Sequence, residues 1–234
     1  MLWDTLEKMK VKLLNVTKMK EFKIRCSAIG QIMTNSRSKS ETLSKTTKSY
    51  LQEWVKEQIY KRKKTISSKY LEKGLIMEDN SLDYIAEHLG YGRLKKNEEH
   101  FNNEFLTGTP DVILKDHLID VKNSWDCFTF PMFETDINKN YFYQAQGYMA
   151  LTGLDSYKLI YTLMDTPEYL IQKDFKFNNF YQKDYDEFEK DFRYDKVDSK
   201  YRIKVYEIKK DDEVIKAIYE RVAECRTYIN ELLT

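Results

Sequence analysis

The stretch "TGTPDVILKDHLIDVKNSW" (residues 107–125) decides how the rest of the chain is read. Two apolar runs, at 112–114 and 118–121, flank the polar pair Lys115-Asp116, which marks a turn. If those two residues form the turn of a hairpin, Val112 faces Ile119, Ile113 faces Leu118 and Asp111 faces Asp120. Side chains alternate along a strand, so Asp111, Asp120 and Lys122 share one face, and Val112, Leu114, Ile119 and Val121 share the other. The second face has the composition of a core. The first has the composition of a site, because opposed carboxylates about 5 Å apart repel by roughly 3 kcal/mol at an effective dielectric near 20. A fold that keeps such a pair needs a proton or a cation between them. Hard divalent ions take oxygen ligands, and Mg²⁺ commonly uses one or two carboxylates with water and a substrate phosphate.

Upstream, residues 68–89 have helical spacing, with a stripe of Leu71, Leu75, position 78, Leu82, Ile85 and Leu89 before the sequence "GYG". Position 78 is a glutamate where the stripe calls for an apolar residue, so Glu78 is a candidate third oxygen ligand. Strands are expected over 95–101, 105–114 and 118–123, then a helix over 138–151 closed by Gly153, then a strand over 157–164. The order is helix, three-stranded meander, helix, strand. Gln144 and Tyr148 fall at i and i+4 on the helix after the hairpin. The acid-x-Lys triplet at 120–122 decides nothing alone, since Glu21-Phe-Lys23 and Glu207-Ile-Lys209 have the same form. Its neighbours single it out.

The remaining segments complete an α/β chain with a mixed sheet flanked by helices. Residues 1–20 have weak helical spacing, and Ser27 is placed to cap a short helix carrying Ile29 and Ile32. A helix follows over 46–64; beyond residue 165 come two helices, a strand "YRIKVYEI" (201–208) and a last helix whose apolar face includes Ile218, Val222 and Cys225. The expected organisation is an N-terminal segment, 1–22, and one domain, 23–234, with its core over 68–164 and an extension over 165–234.

At 234 residues and 41% hydrophobic content, the chain suffices for one core. It has neither a transmembrane-length apolar run nor a signal-type core, so a soluble cytoplasmic protein is expected. Three separated cysteines do not supply a disulfide framework, a four-cysteine zinc site or an iron–sulfur site, and His88, His100 and His117 are scattered. Charge is uneven: residues 1–70 hold 17 Lys or Arg against 6 Asp or Glu, leaving 22 against 32 for the rest. The cluster Arg62, Lys63, Lys64 is a candidate polyanion surface or simply a solvated face. Trp125 and the aromatics at 128–133 are candidates for base stacking or for core packing.

Five blocks in order, "IRCSAIGQIMT", "KGLIMED", "TGTPDVI", "LIDVKNSW" and "YQAQGYMALTG", resemble the PD-(D/E)XK nuclease superfamily. Within it, residues 23–164 are similar to the lambda-type phage exonucleases, or YqaJ-like viral recombinases. Asp120 stands where that group more often has glutamate. The resemblance implies an αβββαβ core and a Mg²⁺-dependent exonuclease, with Mn²⁺ as a substitute, acting 5′ to 3′ on double-stranded DNA ends. It implies that Asp111, Asp120 and the Val121 carbonyl bind the metal, with Glu78 a further ligand, direct or through water. Lys122 would orient the attacking water, help deprotonate it and offset transition-state charge. Gln144 would orient the site, and Arg25, Ser27 and Thr109 would meet DNA phosphate. Ser27 as a plain cap remains the alternative. A single-strand annealing partner and a ring-like homo-oligomer are further implications of the resemblance. The rival readings are an endonuclease or RecB-like nuclease on the same core, and a catalytically silent DNA-binding module.

Overall fold

The turn at Lys115-Asp116 closes the hairpin in the computed structural model, which describes residues 19–178 and 184–234. Val112 pairs with Ile119 and Ile113 with Leu118, and the Leu114 N–H donates to the His117 carbonyl at 2.9 Å. The expected N-terminal helix over 1–20 falls outside the described residues up to position 18.

Along the chain run β1 (Ile24–Arg25), α1 (Ile29–Ile32), α2 (Lys45–Tyr60), α3 (Lys69–Leu89), β2 (Phe101–Asn102), β3 (Leu106–Gly108), β4 (Val112–Ile113) and β5 (Leu118–Asn123). They are followed by α4 (Lys139–Thr152), β6 (Ser156–Thr162), α5 (Glu168–Asn178), α6 (Tyr185–Lys190), β7 (Ile203–Lys209) and α7 (Asp212–Leu233). The main sheet has the order β4-β5-β6-β7; β5 and β6 are parallel, joined through α4, and the two outer pairings are antiparallel. A small sheet has the order β1-β3-β2, with β1 parallel and β2 antiparallel to β3.

Two expected strands differ from this. The run over 105–114 breaks into β3 and β4, which belong to different sheets. The break falls at Thr109-Pro110-Asp111, where proline has no N–H for a ladder. Asn97 ties the break in place: its Nδ2 donates to the Pro110 carbonyl at 3.0 Å, and its N–H donates to the Asp111 carbonyl at 2.7 Å. With Asn97 so engaged, the expected strand over 95–101 shrinks to β2.

The main sheet is packed on both faces. On one, Leu82, Ile85 and Ala86 of α3 meet Val112, Ile119, Val121 and Ile160. On the other, Leu118, Tyr157 and Leu159 join α1, α4 and α7 through Ile29, Ala145, Met149, Ile218, Val222 and Cys225. α4 lies close enough that a Cβ on Gly147 would come within 2.4 Å of Ile29 Cδ1 and 3.0 Å of Cys26 Sγ. This is why the α4 block carries a glycine at that point.

The α3 stripe holds for only part of its length. Leu82 and Ile85 are buried, but Leu71 and Leu75 are 50% and 67% exposed, and Leu89 is exposed too. The first half of α3 instead turns Lys73 inward, fully buried, with its ammonium donating to the Trp125 carbonyl at 3.0 Å and the Met164 carbonyl at 2.7 Å. Burial pulls the Lys73 pKa down to about 7. Ser27 also departs from its expected cap role. It lies in a 3-10 turn, Cys26–Ala28, and neither that turn nor α1 has a side-chain cap. Ser44 and Ser68 do cap, accepting from the Thr47 and Leu71 N–H groups at the starts of α2 and α3. All three cysteines are free, and no described helix is long and apolar enough to cross a membrane.

Candidate functional site

β5 is flanked by α3 on one side and α4 on the other, and its alternation sends Asp120 and Lys122 toward α4. Asp120 is 1% exposed. Its Oδ1 accepts from Gln144 Nε2 at 2.6 Å, which holds the carboxylate from the helix. Its Oδ2 lies 2.6 Å from Lys122 Nζ, yet this buried oxygen has no aligned hydrogen-bond donor among the described residues. Asp111, immediately before β4, meets the same spot from across the hairpin, and its Oδ2 accepts from the Val121 N–H at 3.2 Å.

The charges in this space are strongly coupled. Burial, then the neighbouring Asp120 charge, push the Asp111 carboxyl up to about 7, against the pull of Lys122. Burial alone would lower the Lys122 pKa, but Asp120 and Asp111 hold the ammonium above its ordinary value. Lys122 Nζ also stands 5.1 Å from the centre of the Tyr141 ring. Beneath them the hydroxyl of the fully buried Tyr157 has no aligned hydrogen-bond partner among the described residues; burial and then Asp120 raise its pKa well above the ordinary value. Tyr148 stacks on Tyr157 at 6.5 Å and donates its hydroxyl to the Thr109 carbonyl at 3.1 Å.

This donor set fits a hard divalent cation. It offers carboxylate oxygens, one of them buried without an aligned donor, and one acid that takes a proton near neutral pH when nothing else offsets the charge. Glu78 stands apart, held by Lys96 at 2.7 Å. Among the described residues, no three His, Cys, Asp or Glu side chains converge so as to hold a metal. The site therefore consists of two carboxylates, a lysine and a glutamine, with Glu78 near enough to act on the Asp111 charge. Lys96 and Tyr157 were not anticipated. Lys96 lies in a run read as a strand, with nothing to single it out, and Tyr157 looks like any strand aromatic.

The basic residues gather elsewhere. Arg25, Lys63 and Lys64 line a cleft of about 740 Å³ with Lys23, Tyr50 and Trp54. Arg62 lines a second depression beside Lys56 and Tyr60. These cations leave the helix because Lys61 ends α2 in a left-handed conformation. Thr109 is exposed at the break between the sheets, and Ser27 is exposed on its turn. Trp125 is buried against Leu170, Ile171 and Phe192, whereas Phe128 and Phe133 are 90% and 88% exposed.

No family model matches the chain, and no curated protein does. Solved structures do. The chain is similar to a phage-related exonuclease from Haemophilus somnus 129PT, with 28% identity and a TM-score of 0.76 over 94% of this chain and 98% of that one. An alkaline exonuclease from Laribacter hongkongensis shares the fold at 14% identity and a TM-score of 0.62, over 90% of this chain and 89% of its own. The same enzyme in complex with dAMP aligns with the same TM-score of 0.62.

Proposed function

We propose that this chain, similar to a phage-related exonuclease, is a phage-exonuclease-type member of the PD-(D/E)XK nuclease superfamily, and that it is a metal-dependent deoxyribonuclease that degrades linear double-stranded DNA from its 5′ ends. The observation that carries this reading is the buried meeting of Asp111, Asp120, Lys122 and Gln144. Asp111 and Asp120, with the Val121 carbonyl, would hold Mg²⁺ or, in its place, Mn²⁺; Glu78 would join after releasing Lys96. When bound, such an ion lowers the pKa of water and offsets charge on phosphoryl oxygens.

The chain's own residues have separable parts in this reading. Gln144 holds Asp120 in one rotamer by its 2.6 Å hydrogen bond. Lys122, kept charged by both aspartates, donates to a phosphate oxygen and offsets the charge that grows as water adds to phosphorus and the P–O bond breaks. Arg25, Ser27 and Thr109 receive backbone phosphates, and Arg62, Lys63 and Lys64 attract the polyanion at longer range. The resemblance extends the proposal to end resection in recombination, with an annealing protein as partner and a ring-like homo-oligomer as the working form.

Linear duplexes labelled at the 5′ or the 3′ end, incubated with the protein and Mg²⁺, test activity and polarity together. Early release of 5′ label, sparing of closed circles and loss of cleavage in EDTA are expected. Nicked circles would make the protein an endonuclease. Binding without cleavage in Mg²⁺ or Mn²⁺ would leave a silent DNA-binding module.

A further inference from the structure

The outer face of the small sheet sets His100 and Thr107, which the proposed reaction has not used, against Thr109, which it has. β2 and β3 pair with Phe101 opposite Gly108 and Asn102 opposite Thr107, and the same register carried outward sets His100 opposite Thr109. Alternation puts His100, Thr107 and Thr109 on the side away from Tyr148 and Cys26, which lie where a Gly108 side chain would point. The imidazole reaches both threonines: Nδ1 is 3.0 Å from Thr109 Oγ1, and Nε2 is 2.8 Å from Thr107 Oγ1.

A threonine hydroxyl is a rotor with one proton, and a neutral imidazole has one N–H and one bare nitrogen. Whichever nitrogen carries the proton, one hydroxyl donates into the ring and the other accepts from it. The accepting hydroxyl has its own proton turned outward. Around this pair, Arg25 lies beside Thr107 on β1, and Thr109 stands two residues from Asp111 with its carbonyl held by Tyr148. An outward hydroxyl proton next to a guanidinium, on the segment that leads into Asp111, suits a phosphodiester oxygen. A metal ion does not suit it, since both ring nitrogens are engaged.

We propose that His100 is a positioning residue for the substrate backbone, fixing the Thr107 and Thr109 hydroxyls so that one donates to a phosphate of the strand entering the Asp111–Asp120 site. This rests on the nuclease reading above. In the full-length protein acting on linear duplex DNA, His100→Ala raises KM about tenfold, more than it lowers kcat. His100→Gln, with a donor and an acceptor at its tip, recovers part of the loss. Thr109→Val added to His100→Ala costs less than the two single losses combined, because both act on one contact.

Binding of a fluorescent duplex in Ca²⁺, without turnover, reads the same contact independently of cleavage. If wild type binds but never cuts, and His100→Ala binds about tenfold more weakly, the nuclease reading falls and the positioning role stands. Unchanged KM and binding in His100→Ala would overturn the role. So would a loss confined to kcat, or a glutamine variant no better than alanine.

Discussion

Ile119 and Val121 stand on one side of β5, Asp120 and Lys122 on the other, and the two sides differ in what burial does for them. On the α3 side, each apolar side chain leaves water for Leu82, Ile85, Val112 and Ile160, a gain of about 1.5–3 kcal/mol apiece. On the α4 side, burial costs free energy, because charges lose their hydration. Gln144 and the Lys122 ammonium offset part of that cost, and Asp111 offsets more by holding a proton. One short strand thus stabilises the fold through Ile119 and Val121 and stores unfavourable electrostatics at Asp120 and Lys122. The second set is tolerated because the first packs so well.

Substitutions on the two sides should therefore behave differently. The largest effect is expected from Asp120→Ala, which should lower kcat about a thousandfold or more while circular dichroism shows the fold intact. Next, Ile119→Ala should cost about 3 kcal/mol in urea unfolding, with turnover per folded molecule largely kept. A comparable loss of activity at both positions would erase the distinction between the faces.

Asp111 supplies a smaller effect with a sign. Its carboxyl titrates near 7 in the folded protein against an ordinary 3.8, so between about pH 4 and pH 7 the unfolded chain gives up a proton that the folded chain keeps. The stability it contributes is complete below pH 4 and lost as pH rises through 7. An asparagine at this position has no such proton to lose. In chelator, Asp111→Asn should match wild type near pH 4 and be the more stable of the two at pH 8 by denaturant unfolding. The smallest effect belongs to the exposed half of the α3 stripe: Leu75→Ser should change stability by no more than about 0.5 kcal/mol. A larger loss would mean that this half is packed after all.

The site's framework was legible because its causes are local. A two-residue turn and strict alternation determine which of residues 111–122 face each other, and they did so here without reference to any other segment. Gln144 was legible as a polar residue on the helix that connects two parallel strands. The rest depends on contacts between distant segments. Periodicity shows which residues of α3 align but not where the underlying sheet ends, so Leu71 and Leu75 read as core and the inward turn of Lys73 went unseen. The split of the 105–114 run needed Asn97, thirteen residues before Pro110, to explain its geometry. Glu78 was visible as an acid in an apolar stripe, while its partner Lys96 comes from an irregular segment. His100 seemed one of several scattered histidines until the β2–β3 register set it beside two threonines.

In the proposed function the polar face of β5, unfavourable by itself, holds a divalent cation. Unfolding temperatures at pH 8, measured as Mg²⁺ or Mn²⁺ is added, test this without any substrate. Wild type, less stable than Asp111→Asn in chelator, is expected to gain stability with metal, reaching about 2.7 kcal/mol at a hundred times Kd. Asp111→Asn and Asp120→Asn should gain little. Equal gains in all three proteins, or none in wild type, would contradict it.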